Sequence, residues 1–220
     1  MSPRILVINP NSTVAVTEGI DRALAPLRLP GGPQFECVTL AEGPPGIQTQ
    51  RDVDGVITPL CQLIAQRDQN CDAFVIACYS DPGLHSAREV TRKPVLGISE
   101  CGVLTALTLG QRFGVIAILA GSIPRHLRYL GAMGVMDRLA AELPVGLQVT
   151  ELSDVARTRE RLIATGRSLV NEHGANVVVM GCAGMAQYRR ELEQAIGVPV
   201  VEPTQAAAGM ALSRVQLASA

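Results

Sequence analysis

The chain has 220 residues, 47% of them hydrophobic and only 3% aromatic, and its 19 basic and 20 acidic side chains leave a formal charge of −1. A mean hydropathy of +0.24 argues against disorder, and the lack of any Lys/Arg run removes the electrostatic footprint for nucleic acid or an anionic membrane, leaving a small neutral or anionic ligand as the expected partner. With no Trp, the core must come from Val, Ile, Leu and Ala, as it does where helices pack on a parallel sheet.

The first apolar run, Ile5 to Ile8, is too short for a signal h-region, and no stretch approaches the roughly 18 apolar residues of a membrane span. The expected compartment is cytoplasmic, where thiols stay reduced; the glycosylation match at Asn11-Ser-Thr13 is then idle. β-branched apolar runs follow at Phe35 to Leu40, Phe74 to Ala77, Val95 to Ile98, Val115 to Leu119, Leu147 to Leu152, Val177 to Met180 and Val198 to Val201. Helical patterns fall at Val14 to Leu27, Asp54 to Gln66, Leu84 to Thr91, Glu100 to Leu109, Ile123 to Leu143, Val155 to Glu172 and Tyr188 to Ile196. Leu29-Pro-Gly-Gly-Pro33 breaks the chain after the first helix, and Gly174 and Gly197 have the positions of helix C-caps. Strand and helix alternate, which implies parallel sheets joined by crossovers.

The pattern repeats. Arg4-Ile-Leu-Val-Ile matches Arg112-Phe-Gly-Val-Ile at an offset of 108, Cys78 matches Cys182 at 104, and Lys93-Pro-Val-Leu matches Val198-Pro-Val-Val at 105. Three matches in order predict an α/β fold of two pseudo-symmetric Rossmann-like units, each with a four-stranded parallel sheet flanked by helices and with the active site in the cleft between them. The first unit takes residues 1–98 and the second 99–205. No low-complexity linker separates them, so close packing is expected.

Six cysteines allow several readings. Their gaps of 24, 10, 7, 23 and 81 residues contain no C-x2-C pair, and no paired His accompanies them, so a metal site is not expected. Cys37, Cys61, Cys71 and Cys101 read as small buried hydrophobes. Cys78 and Cys182 differ: each ends an apolar run and opens a small polar turn, at the strand edge where open parallel sheets bind ligands. A thiol just before a helix N-terminus is favoured as the thiolate, and a fall of one or two units from about 8.5 gives a base near neutral pH.

Cys78-Tyr-Ser-Asp-Pro-Gly-Leu84, Gly181-Cys-Ala-Gly-Met185 and the opening Ile5-Leu-Val-Ile-Asn-Pro-Asn-Ser12 resemble the aspartate/glutamate/hydantoin racemase superfamily, and within it the hydantoin and allantoin racemase branch. The resemblance runs essentially the whole length. Where the glutamate racemase pattern has Asn-Thr and Thr-His after its cysteines, this chain has Tyr79-Ser80 and Ala183-Gly184, so an amino-acid substrate is not what the flanks imply. The resemblance implies cofactor-independent racemisation of a hydantoin-type ring by two opposed cysteines, in a homo-oligomer whose last helix, within 206–220, returns to the first unit.

The same resemblance nominates the residues around the thiols. Tyr79, Ser80, Ala183 and Gly184 would offer backbone N–H groups or hydroxyls to the ring. Asn9 and Asn11 either contact substrate or form a turn and helix cap with Ser12 and Thr13. Ser122 is read first as a helix cap, in the place where relatives carry a substrate-contacting hydroxyl. Ile47, after Gly43-Pro-Pro-Gly46, borders the pocket or is a surface or core isoleucine. His85, His126 and His173 read as solvated or satisfied surface groups, and Arg125 to Arg128 and Arg157 to Arg161 as charged helix faces. The rivals are a decarboxylase or a cis–trans isomerase on the same fold and, outside catalysis, a small-molecule binding module; the matched cysteines argue against the decarboxylase and the binding module.

Overall fold

The computed structural model describes residues 2–148, 151–152 and 154–218. Its first sheet contains β1 (Arg4–Asn9), β2 (Gln34–Thr39), β3 (Ala73–Ile76) and β4 (Val95–Gly97), ordered β2-β1-β3-β4. The second contains β5 (Phe113–Ala117), β6 (Leu139–Pro144), β7 (Val177–Gly181) and β8 (Val200–Val201), ordered β6-β5-β7-β8. All pairings are parallel. The two sheets therefore repeat one topology, as the sequence offsets imply.

The central strands β3, β5 and β7 are buried at every residue, and β1 at all but its first. This is why they read as unbroken apolar runs: helices cover both faces of a parallel sheet. On the first sheet these are α1 (Val14–Ala23), α2 (Gln50–Gly55), α3 (Ile57–Arg67) and α4 (Leu84–Val90). The second has α6 (Ile123–Ala132), α7 (Val155–Asn171) and α8 (Arg189–Ile196). Two long helices tie the halves together. α5 (Ile98–Leu109) puts Ile98 and Cys101 into a first-sheet core and Val103 and Ala106 into a second-sheet core. α9 (Pro203–Ala218) leaves the second sheet and packs Ala207, Ala208, Ala211 and Val215 among Ile5, Val7 and Val75.

One stretch departs from the expected pattern. The helix expected from Ile123 to Leu143 ends at Ala132, and Leu139–Pro144 is the edge strand β6. Gly134, at φ +71°, turns the chain, and pairing with β5 overrides the helical preference of Leu-Ala-Ala-Glu, as tertiary contacts commonly do. The strand expected at Leu147 to Leu152 is not in either sheet. Leu147 and Gln148 have no ladder partner and Glu151 and Leu152 lie in a 3₁₀ turn, while 149 and 150 fall outside the described residues. Gly174 and Gly197 do adopt positive φ at the ends of α7 and α8.

Among the described residues, no helix is long and apolar enough to cross a membrane.

Candidate active site

In each sheet the chain order reverses between the two central strands, and crevices open there beyond the carboxyl ends. Four corners of one cavity come from these places: Asn11 after β1, Cys78 to Ser80 after β3, Ile118 and Ser122 after β5, and Cys182 to Gly184 after β7. Val16, Ile47, Ala77, Arg125, His126 and Gly181 complete the wall. The free space at its centre is about 40 Å³, room for one to three waters. Val16, Ala183 and Gly184 are shared with a larger cavity of about 530 Å³ beside α1.

The two thiols are held alike. The Ser80 N–H donates to the Cys78 sulfur, and the Gly184 N–H to the Cys182 sulfur. In each case the donor lies two residues on. Burial nevertheless dominates: it pushes Cys78 up to about 12 and Cys182 up to about 11, with Cys182 itself adding to the rise at Cys78. The lowering expected from a helix N-terminus is not found. α4 begins only at Leu84, and Cys182 precedes a 3₁₀ turn, Ala183–Tyr188, whereas the dipole effect is confined to a helix's first turn. Desolvation of the thiolate outweighs one backbone donor.

The surrounding loops are fixed by polar contacts. Asn9 is 1% exposed and does not line the cavity. Its amide donates to Asn11 Oδ1 at 3.1 Å and Thr17 Oγ1 at 3.0 Å, and its Oδ1 accepts from the Asn11 N–H at 3.2 Å, so it holds Asn11 at the cavity from behind. Ser12 N–H and Thr13 Oγ1 donate to the carbonyls of Pro44 and Pro45. That contact needs Gly43, where a Cβ would lie 2.2 Å from the Pro10 carbonyl. Ile47 precedes a capping box at the start of α2, in which Thr49 and Asp52 exchange side-chain and backbone bonds. Ser122 sits at the N-cap of α6 without capping it; its hydroxyl donates to Leu119 O at 2.7 Å.

Asp81 pins the Cys78 loop to the second half. Its carboxylate accepts from Ser99 N at 3.0 Å and Glu100 N at 2.8 Å, capping α5, whose own N-cap is Gly97. A Cβ on Gly97 would meet that carboxylate at 2.3 Å. Burial raises Asp81 to about 7, against these N–H groups and the Tyr129 hydroxyl, which favour the ionised form.

Arg125 and His126 correct the sequence reading. Arg125 is 9% exposed and His126 5%, and both line the cavity. His126 Nδ1 lies 2.5 Å from Glu142 Oε1 on β6, while its ring meets that of Tyr79 edge-on at 5.1 Å. Arg125 Nε donates to Ser80 Oγ at 3.1 Å, and Ser80 Oγ stands 3.5 Å from His126 Nε2. Ser80, His126 and Glu142 are ordered like a nucleophile, base and carboxylate relay. The 3.5 Å gap is longer than an ordinary hydrogen bond, so in this arrangement Ser80 is oriented by Arg125 without a base in close contact.

Arg125 and His126 were hidden among charged helical residues, yet Ser122-Ile-Pro124 was a usable signal. Pro at the start of α6, just after β5, puts the first helical turn at the ligand edge. His85 is exposed and His173 half-buried, as expected for surface groups. Cys37 and Cys101 pack on one face of the first sheet and Cys61 and Cys71 on the other. No group of three or more His, Cys, Asp or Glu among the described residues is placed to hold a metal ion.

Two repeated α/β units with a cysteine at each facing strand end define a family. The profile of the Asp/Glu/Hydantoin racemase family matches residues 5–211, and the chain belongs to that family and is an isomerase of the racemase type. It is 37% identical over 205 residues to the hydantoin racemase of Pseudomonas sp. (strain NS671), covering 90% of this chain and 80% of that one. The structure of allantoin racemase from Klebsiella pneumoniae superposes with a TM-score of 0.90 at 32% identity, covering 99% of this chain and 89% of that one. Allantoin racemase from Pseudomonas fluorescens gives 0.93 at 29% identity, with 98% and 92% coverage.

Proposed function

We propose that the protein interconverts the D and L forms of 5-substituted hydantoins, without a cofactor, using Cys78 and Cys182 as the two bases. One thiolate takes the proton from C5, the C–H electrons move into the C4–C5 bond, and negative charge gathers on the C4 oxygen. The opposite thiol then delivers its proton to the other face of C5 and becomes the thiolate. Atoms and charge balance, and the enzyme ends with the two cysteine roles exchanged. The observation that carries this reading is the matched pair itself: two thiols from equivalent strand ends, each with a backbone donor two residues on, opening on one cavity.

The test is the racemisation of enantiopure 5-alkylhydantoins in heavy water by Cys78→Ala and Cys182→Ala. Each variant is expected to lose racemisation by about 10³-fold or more, since a positioned acid or base contributes roughly 10²–10⁴-fold. A variant that racemises at the parent rate contradicts the two-base scheme.

A second reading has its own support. Asn11, Ser80, Ser122, Arg125 and His126 give the cavity a polar wall, which suits a ureido substituent as in allantoin better than an aryl group. Comparing allantoin with 5-benzylhydantoin by loss of optical rotation separates the two.

A further inference from the structure

We propose that Arg125 is a specificity-determining residue that receives a carboxylate on the substrate's 5-substituent, so that the preferred ring carries an acidic side chain. The inference rests on the racemase reading of the same cavity. Arg125 is 9% exposed and lines the wall that also holds both cysteines. Its one hydrogen bond among the described residues runs from Nε to Ser80 Oγ, which leaves both Nη groups without an acceptor from those residues. None of the ion pairs among the described residues includes Arg125. Of the acidic groups that act on it, Asp52 and Glu142, Asp52 accepts from the Gln48 and Thr49 N–H groups, and Glu142 pairs through Oε1 with His126 while its buried Oε2 has no hydrogen-bond partner among the described residues.

A guanidinium removed from water is costly unless an anion meets it, and its planar fork matches a carboxylate bidentately. Apart from the Cys78 thiolate, no group of this wall presents an anion to the two Nη atoms, so a carboxylate of the ligand is the remaining source. The Ser80 contact fixes the plane of the fork and ties it to the Cys78 loop, and the Glu142–His126 pair braces the neighbouring side chain. Arg125 and both cysteines line one cavity, so a carboxylate held there belongs to a substituent of the ring that the thiols flank.

Two other sources of negative charge must be separated from this one: the Cys78 thiolate, with which Arg125 interacts, and the enolate oxygen of the reaction. Both would make Arg125 serve every hydantoin equally. The experiment measures kcat/KM for 5-(carboxymethyl)hydantoin, 5-(2-carboxyethyl)hydantoin, 5-propylhydantoin and allantoin with the wild type, Arg125→Lys and Arg125→Gln, alongside thermal melting of each variant. The wild type is expected to prefer the acidic rings. In Arg125→Gln the acidic-to-neutral ratio should fall about 100-fold, as for loss of one partner of a buried charge pair, mainly through KM, with Arg125→Lys between the two. A uniform fall across all four rings, or a wild type that prefers allantoin or the propyl ring, overturns the inference. If the wild type turns over no hydantoin, the racemase reading fails instead. Calorimetric binding of the same acidic rings to wild type and Arg125→Gln then still tests the arginine, with equal affinity counting against it.

Discussion

The loops after Cys78 and Cys182 occupy equivalent places in the repeat, yet their surroundings differ in a way that separates what symmetry fixes from what it leaves open. In the second half, Glu202 at the start of α9 caps its own helix, its carboxylate accepting from Thr204 N at 3.0 Å and Gln205 N at 2.7 Å. The equivalent position in the first half is Gly97, and the cap for α5 is brought in from the cysteine loop by Asp81. Helix N-termini need acceptors, so a carboxylate appears in both places. Only in the first half does that carboxylate also anchor the reactive loop. The polar wall is one-sided as well: Ser80, Arg125 and His126 stand near Cys78, while Ala183 and Gly184 follow Cys182. Symmetry sets the two sulfurs, and asymmetry sets how a substrate is read.

The comparison breaks most visibly at the sulfurs. Because burial lifts both thiols, to about 12 and about 11, the fraction of enzyme with one thiolate and one thiol falls tenfold for each pH unit below the lower value. The two apparent values belong to the pair, not to either residue. kcat/KM is therefore expected to climb with a slope near one in log units from about pH 7 to about pH 10, a rise of about 10³-fold. A plateau beginning near pH 7 would show that substrate or a shift in packing supplies a much lower thiol pKa.

The strand ends offer a second contrast. Ala77 precedes Cys78, whereas Gly181 precedes Cys182, and a Cβ on Gly181 would meet the backbone carbonyl of Ile116 at 2.5 Å. Gly181→Ala is expected to destabilise by about 1–3 kcal/mol, as overpacking does. Ala77→Gly should cost about 0.5–1 kcal/mol through backbone entropy. Chemical denaturation of both variants measures the difference, and equal costs would mean the two strand ends are packed alike.

Asp81 gives a smaller effect of definite sign. Its carboxyl is raised in the fold to about 7 from about 3.9 in the unfolded chain, so the folded state binds more protons between those values. Its contribution to stability is present below about pH 4 and is lost as pH rises to about 7. Asp81→Asn should flatten that part of the wild-type stability profile and lower kcat/KM by up to about 10²-fold, the order of loss for a displaced reacting group. A profile that keeps its slope assigns the titration to another group.

Much of this arrangement is legible in the sequence. β1, β3, β5 and β7 are covered on both faces, so their apolar runs are continuous, and the repeat of Arg4, Cys78 and Lys93 around residues 112, 182 and 198 marks the two halves. β6 is not legible, because Leu139-Ala-Ala-Glu142 has helical preferences that only its pairing with β5 overrules. The same helical pattern conceals Glu142, and with it the reason His126 is buried. The thiol environment escapes sequence reasoning for another cause: the chain displays a cysteine's covalent neighbours, but desolvation is set by everything packed around the sulfur.

The central claim, that each thiol serves one face of one carbon, is tested most directly by deuterium wash-in at C5 with the single-cysteine variants and each pure enantiomer in separate reactions. With one base removed, Cys78→Ala should exchange the C5 proton of one enantiomer without inversion, and Cys182→Ala that of the other. Both variants exchanging the same enantiomer, or either one still racemising, would contradict the account.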